Sequence, residues 1–193
     1  MTVPTGVVLA GGLGRRMGGA SKPAASLGGE PLVWRPLRVL GEVCPEVVVV
    51  CKADTRLPSL PAGVARWEEP DDPRHPLTGL IFALERAGRP VLVCAADMPF
   101  VSALVLRRLI GEGEKAGAGA AAVVAFAGGR LEPLLGLYRP ACLAVLRESS
   151  SNARLTTIVE GLEPVLVAVD AAVTRSVNTP EELRTAEASL LSA

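Results

Sequence analysis

Short apolar runs alternate along this chain with longer segments of helical period. Residues 47–50 are four consecutive valines, and 91–95 read Val-Leu-Val-Cys-Ala. Unbroken apolar runs of this length suit strands covered on both faces. Further runs at 7–10, 121–126, 134–138 and 165–169 predict more strands, and a short segment at 64–67 ends in Glu68 and Glu69. Between them, residues 32–40, 80–87, 101–110 and 141–147 carry apolar positions at helical spacing. The last helix has the clearest start: Thr179 caps it, Pro180 takes the first helical position, and Glu181 and Glu182 suit the positive end of its dipole. Strand alternating with helix predicts an α/β fold, a three-layer sandwich with a mainly parallel sheet and helices on both faces. Ligands of such sheets collect at the C-terminal ends of the strands. That rule puts residues 11–22 and 95–100 on one rim. The glycine- and alanine-rich stretch 111–120 reads as a loop joining an N-terminal half, 1–110, to a C-terminal half, 120–193, of one domain spanning 1–193.

Composition narrows the picture. A chain of 193 residues suits one domain with a sizeable core. Apolar residues make up 49% but aromatics only 3%, so valine, leucine and alanine must build that core. Formal net charge is zero, which argues against a nucleic-acid or acidic-membrane surface. Positive charge is instead local, at Arg15, Arg16 and Lys22, which suits a phosphate ligand better than a polymer. Cys44, Cys51, Cys94 and Cys142 show no C-x-x-C spacing, and His75 is the only histidine, so a zinc site is not expected. Most of these cysteines lie in or beside apolar runs, as buried free thiols of a reducing cytosol do. With no apolar run of membrane-spanning length and no signal-peptide pattern, the expected location is cytoplasmic.

The stretch after the first strand carries the strongest chemical signal. Gly11, Gly12 and Gly14 are followed by Arg15, Arg16, Gly18, Gly19 and Lys22. Glycines let backbone N–H groups approach a ligand, and consecutive N–H groups turned inward form an anion site. The stretch matches neither the Walker loop nor the G-x-G-x-x-G dinucleotide loop. A second signal is Cys94-Ala95-Ala96-Asp97-Met98-Pro99, where an apolar strand ends in one carboxylate on the same rim. Magnesium prefers one or two carboxylates together with phosphate oxygens.

The loop resembles the L-A-G-G-x-x-x-R-M-G-x-x-x-K signature of nucleotidyltransferases, through Leu9, Ala10, Gly11, Gly12, Arg16, Met17, Gly18 and Lys22. Among these the chain is most similar to the molybdenum cofactor guanylyltransferases. The likeness extends to Asp97-Met98-Pro99, to Pro76-Leu77-Thr78-Gly79, to Glu132-Pro133-Leu134 and to Asn178-Thr179-Pro180-Glu181-Glu182-Leu183. It departs at His75 and Thr78, at Ser176, and at Lys52, where the family often has an asparagine nearby.

The resemblance implies a Rossmann-like fold of nucleotide-diphospho-sugar-transferase type. It also implies transfer of GMP from GTP to the phosphate of molybdopterin, with release of pyrophosphate. The nucleotide would lie against Leu9, Ala10, Gly11, Gly12, Gly14, Lys22, Glu69, Gly79 and Asp97 in the N-terminal half. Arg16 and Lys22 would offset triphosphate charge, and Asp97 would hold Mg²⁺. Arg154 and Asn178, in the C-terminal half, would face the acceptor phosphate. The acidic cluster from Glu68 to Asp72 reads equally as a solvated loop. Expected partners are GTP and molybdopterin, with transient contact to other molybdenum cofactor proteins, and neither nucleic acid nor membrane. Cytidylyl transfer to the same pterin, guanylyl transfer to cobinamide phosphate and a non-catalytic nucleotide-binding regulator stay open as alternatives.

Overall fold

The computed structural model describes residues 2–11 and 22–191. Gly12, Gly14 and Arg16 lie outside the described residues.

Strand β1 (Thr5–Leu9) is an interior strand of the sheet. The chain then forms a small antiparallel pair, β2 (Ser26–Leu27) and β3 (Glu30–Pro31), and enters helix α1 (Trp34–Gly41). Strands β4 (Val47–Cys51) and β5 (Ala65–Glu68) follow, then α2 (Pro76–Ala87), β6 (Val91–Ala95) and α3 (Ala103–Ala116). The rest is β7 (Ala122–Ala127), β8 (Arg130–Tyr138), α4 (Leu143–Glu148), α5 (Leu155–Glu160), β9 (Val165–Ala168) and α6 (Pro180–Leu191).

Seven strands form one sheet in the order β5-β4-β1-β6-β8-β7-β9. Pairs β1–β4, β1–β6, β4–β5 and β7–β9 are parallel, while β8 runs antiparallel to both β6 and β7. The mainly parallel α/β sandwich expected from the apolar pattern is therefore the observed one. Every residue of β4 and β6 is buried, because helices cover both faces of the sheet. On one face Leu37 and Leu40 of α1 and Val105, Leu106 and Leu109 of α3 pack on alternate strand residues such as Val8, Val49 and Cys94. On the other face α2, α4 and α5 bring Leu80, Leu84, Leu146 and Ile158 onto Val7, Val48 and Val93. Period-two alternation of the strands assigns each neighbour to the opposite layer.

The chain runs outward from β1 through β4 to β5, then returns to lay β6 on the other side of β1. That reversal opens a crevice beyond the carboxyl ends of β1 and β6. Three backbone hydrogen bonds extend the sheet into it. Ala10 N donates to Val50 O at 2.8 Å, Ala96 N to Leu9 O at 3.1 Å, and Glu69 N to Cys51 O at 2.9 Å. The ends of β1 and β6, from which the two rim segments expected from sequence start, thus meet through Leu9 and Ala96.

One expectation changes. Residues 111–116 continue helix α3 instead of forming a loop between halves. Alanine, glutamate and lysine supply helix propensity there, and Gly113 lies so close to Leu137 that a Cβ would stand 2.6 Å from its Cδ2. The halves also interlock: α6 packs with Val177 on Leu27 and Leu32, in the N-terminal half.

Candidate active site

A cavity of about 200 Å³ occupies the crevice. It is lined by Leu9, Ala10 and Gly11 after β1, by Lys22 and Pro23, by Lys52 after β4, by Glu69 after β5, and by Ala95, Ala96 and Asp97 at the end of β6. Arg74, His75, Pro76 and Gly79 close it from the start of α2, and Leu134 from β8. Leu134 reaches the wall because the β7–β8 register breaks between Val124 and Ala125, opposite Pro133, which has no N–H to give to the ladder.

At the β6 end, the Lys22 ammonium donates to the Asp97 carboxylate and, at 2.6 Å, to Asn178 Oδ1. Asp97 also binds the chain before α6, since its carbonyl accepts from Val177 N at 2.9 Å. Asn178 is held by the cap of α6. Glu182 Oε2 accepts from Asn178 N at 2.6 Å and from Thr179 N at 3.1 Å, while Thr179 Oγ1 accepts from Glu182 N at 3.1 Å. This reciprocal capping box fixes the backbone and leaves the Asn178 side chain for Lys22. The C-terminal helix thereby reaches the glycine-loop lysine across the whole chain.

At the β4–β5 end, Glu69 and Lys52 are both buried. Lys52 Nζ lies 3.5 Å from Glu69 Oε2, and it donates to the carbonyls of Pro70 and, at 3.3 Å, of Pro73. Glu69 Oε2 accepts no hydrogen bond among the described residues. Burial pushes the Glu69 carboxyl above its ordinary range, and the Lys52 charge opposes that rise. The carboxylate lies between two glycines: a Cβ on Gly11 would collide with Glu69 Oε1, and one on Gly79 would stand 3.0 Å from Oε2.

The acidic cluster is split by burial. Glu68 pairs with Arg66 at 3.0 Å on the surface, and Asp71 and Asp72 are exposed, so only Glu69 belongs to the cavity. His75 caps α2, its Nδ1 accepting from Leu77 N at 3.2 Å, and burial holds its pKa below the ordinary histidine value. Arg154 begins α5, is exposed, and does not line the cavity. Of the nucleotide-site residues expected from sequence, the structure brings together Leu9, Ala10, Gly11, Lys22, Glu69, Gly79 and Asp97. Lys52 was read from sequence only as a replacement for an asparagine. The signal for its role is a charged residue placed directly after a strand of four valines and a cysteine.

Among the described residues no three His, Cys, Asp or Glu side chains gather into a metal cage. The Asp97 carboxylate and Asn178 Oδ1 are nonetheless two oxygen donors that already hold a cation, the Lys22 ammonium. A cavity-lining carboxylate with an amide oxygen beside it fits magnesium, which keeps most of its coordination for phosphate and water.

A parallel sheet with a cation-binding carboxylate at one end of its switch-point crevice and a buried acceptor at the other defines a nucleotidyltransferase of the nucleotide-diphospho-sugar-transferase type. The MobA-like NTP transferase domain matches residues 6–165, and the chain belongs to that family. It is 40% identical over 138 residues to a molybdenum cofactor guanylyltransferase of Cereibacter sphaeroides, covering 69% of this chain and 67% of that protein. It is 31% identical to the molybdenum cofactor guanylyltransferase of Desulfosudis oleivorans, over 98% of this chain and 97% of its relative. The crystal structure of molybdopterin-guanine dinucleotide biosynthesis protein A from Archaeoglobus fulgidus superposes with a TM-score of 0.74 at 26% identity, covering 98% of this chain and all of that one. Among the described residues no helix is long and apolar enough to cross a membrane.

Proposed function

We propose that this nucleotidyltransferase transfers GMP from GTP to the phosphate of molybdopterin, releasing pyrophosphate. The observation that carries the reading is the pair Lys22 and Asp97 at the end of β6, joined by Asn178 and lining a cavity that also holds a buried carboxylate, Glu69. Strands β5 and β6, which lead into Glu69 and Asp97, lie three strand spacings apart, about 14 Å at the usual spacing, and the Glu69 side chain reaches back to Gly11 after β1. A carboxylate repels phosphate and attracts N–H and O–H donors. The nucleotide is therefore oriented with its triphosphate toward Lys22 and Asp97 and its nucleoside toward Glu69 and Gly79.

In this reading a phosphate oxygen of the acceptor attacks the α-phosphorus of GTP, forming one P–O bond as the bond to pyrophosphate breaks. The attacking oxygen is already ionised, so the protein needs to supply position and positive charge more than proton transfer. His75 is consistent with that, because its Nδ1 is engaged by the helix cap. Lys22 and Arg16 are assigned to offset charge on the triphosphate, and Gly11, Gly12 and Gly14 are assigned to the loop that would bind its oxygens. Asp97, with Asn178 beside it, would hold Mg²⁺, which when bound neutralises phosphate charge. Arg154 and Asn178 are assigned to the acceptor side; the contact of Asn178 with Lys22 would join the acceptor to the triphosphate end. Four free, buried cysteines suit a reducing cytosol. Proteins that supply molybdopterin or take up the product would make transient contacts.

The test is pyrophosphate release with Mg²⁺, the molybdopterin acceptor and each of GTP, CTP and ATP, with the product identified by mass. GTP alone should support turnover. Turnover with CTP instead would make the protein a cytidylyl relative, and tight GTP binding without pyrophosphate would make it a regulator.

A further inference from the structure

Lys52 is 1% exposed, and an ammonium withdrawn from water is costly unless acceptors surround it. A lysine has three donor hydrogens. Two of them go to the carbonyls of Pro70 and Pro73, and Glu69 Oε2 stands beside the ammonium as its ion-pair partner at 3.5 Å. Although Lys52 lines the cavity, its charge is directed at the protein. The phosphate-type cation of this site is Lys22, at the opposite end. Glu69, in turn, is wedged between Gly11 and Gly79, where no side chain other than its own fits.

We propose that Lys52 is a positioning residue: the buried counter-ion that holds the Glu69 carboxylate charged and aimed between Gly11 and Gly79, as the acceptor for donor groups of the nucleoside. The proposal rests on the orientation given above, with the nucleoside at Glu69. It differs from a direct contact between Lys52 and the nucleotide, and from a purely structural pin of the segment 70–75, because both of those would act without Glu69.

Calorimetric binding of GTP to the intact protein and to Lys52→Met, Glu69→Gln and the double variant separates these. Lys52→Met and Glu69→Gln should each weaken GTP by about tenfold or more, the scale of a hydrogen bond to a charged group. The double variant should bind as Glu69→Gln does. A further tenfold loss in the double variant would overturn the proposal. A second readout follows from charge. In Lys52→Met the buried carboxyl lacks its cation and its pKa rises further, so GTP affinity should climb with rising pH as the proton leaves. The other titratable and charged groups near Glu69 are Cys51 on β4, Arg66 and Glu68 on β5, and Asp71, Asp72, Arg74 and His75 on the way into α2. They remain in the double variant, which should show no such climb; an equal climb there would also overturn the proposal. If Lys52→Met does not fold, the comparison of Glu69→Gln with the double variant still decides, since that neutral pair buries no charge. Absence of GTP binding by the unmodified protein would instead sink the functional reading, before any variant is compared.

Discussion

Asp97 follows a strand whose five residues are all buried, so its carboxylate has a fixed place on the rim. It is half-buried itself, and its loss removes little packing. Asp97→Ala should therefore lower pyrophosphate release by about a hundredfold or more while melting within a few degrees of the unmodified protein. Near-normal turnover in that variant would remove the carboxylate from the chemistry. Gly11 makes a different case. A methyl group there collides with Glu69, so Gly11→Ala should weaken GTP binding by displacing the carboxylate, and calorimetry against Gly111→Ala, a glycine of α3 with open space around it and no positive φ, checks the effect. Sequence identified Gly11 as a position of close approach, on the reasoning that a ligand needs the backbone. The tertiary structure adds that a side chain 58 positions later, Glu69, uses the same space.

At the scale of elements, the starts of α2 and α6 carry site residues because capping fixes them. His75 accepts the Leu77 N–H only with an unprotonated Nδ1, and burial lowers its pKa from 6.5. A group whose folded pKa lies below its unfolded value gives its full stability above the unfolded pKa, and that contribution is lost as pH falls through the folded one. The melting temperature should drop more steeply below about pH 6.5 in the unmodified protein than in His75→Asn, whose amide caps without titrating. Parallel slopes would mean the cap does not titrate. The start of α6 was legible in full, since Thr179, Pro180 and Glu182 are local signals. The extension of α3 through residues 111–116 was not. Its glycines suggest a loop, but Gly113 sits in the helix because Leu137 leaves no room for a larger residue.

For the whole molecule, the cavity is assembled from both halves: the ends of β1, β4, β5 and β6 supply the walls, Leu134 of β8 lines it as well, and Asn178 before α6 braces Lys22 from behind the lining. A ligand there ties these parts together and binds only the folded chain. At a concentration of a hundred times its Kd, Mg·GTP should add about 2.7 kcal/mol of stability, which raises the melting temperature by about 5–10 °C in a chain of this size. A shift with GTP that vanishes in Asp97→Ala but persists in Glu69→Gln, or the reverse, would assign the two ends of the cavity to different parts of the nucleotide.

The sequence by itself determined the alternation of strands and helices, the rim segments at the ends of β1 and β6, and the class of chemistry, because periodicity, caps and glycine loops are properties of neighbouring residues. It did not determine that β8 runs antiparallel between β6 and β7, or that the chain before α6 returns to Lys22. Nor did it separate Glu69 from its acidic neighbours, or give Lys52 its partner. Those depend on which surfaces exclude water together. Burial decides whether a charge is solvated or must find a counter-ion, and only the folded chain sets burial.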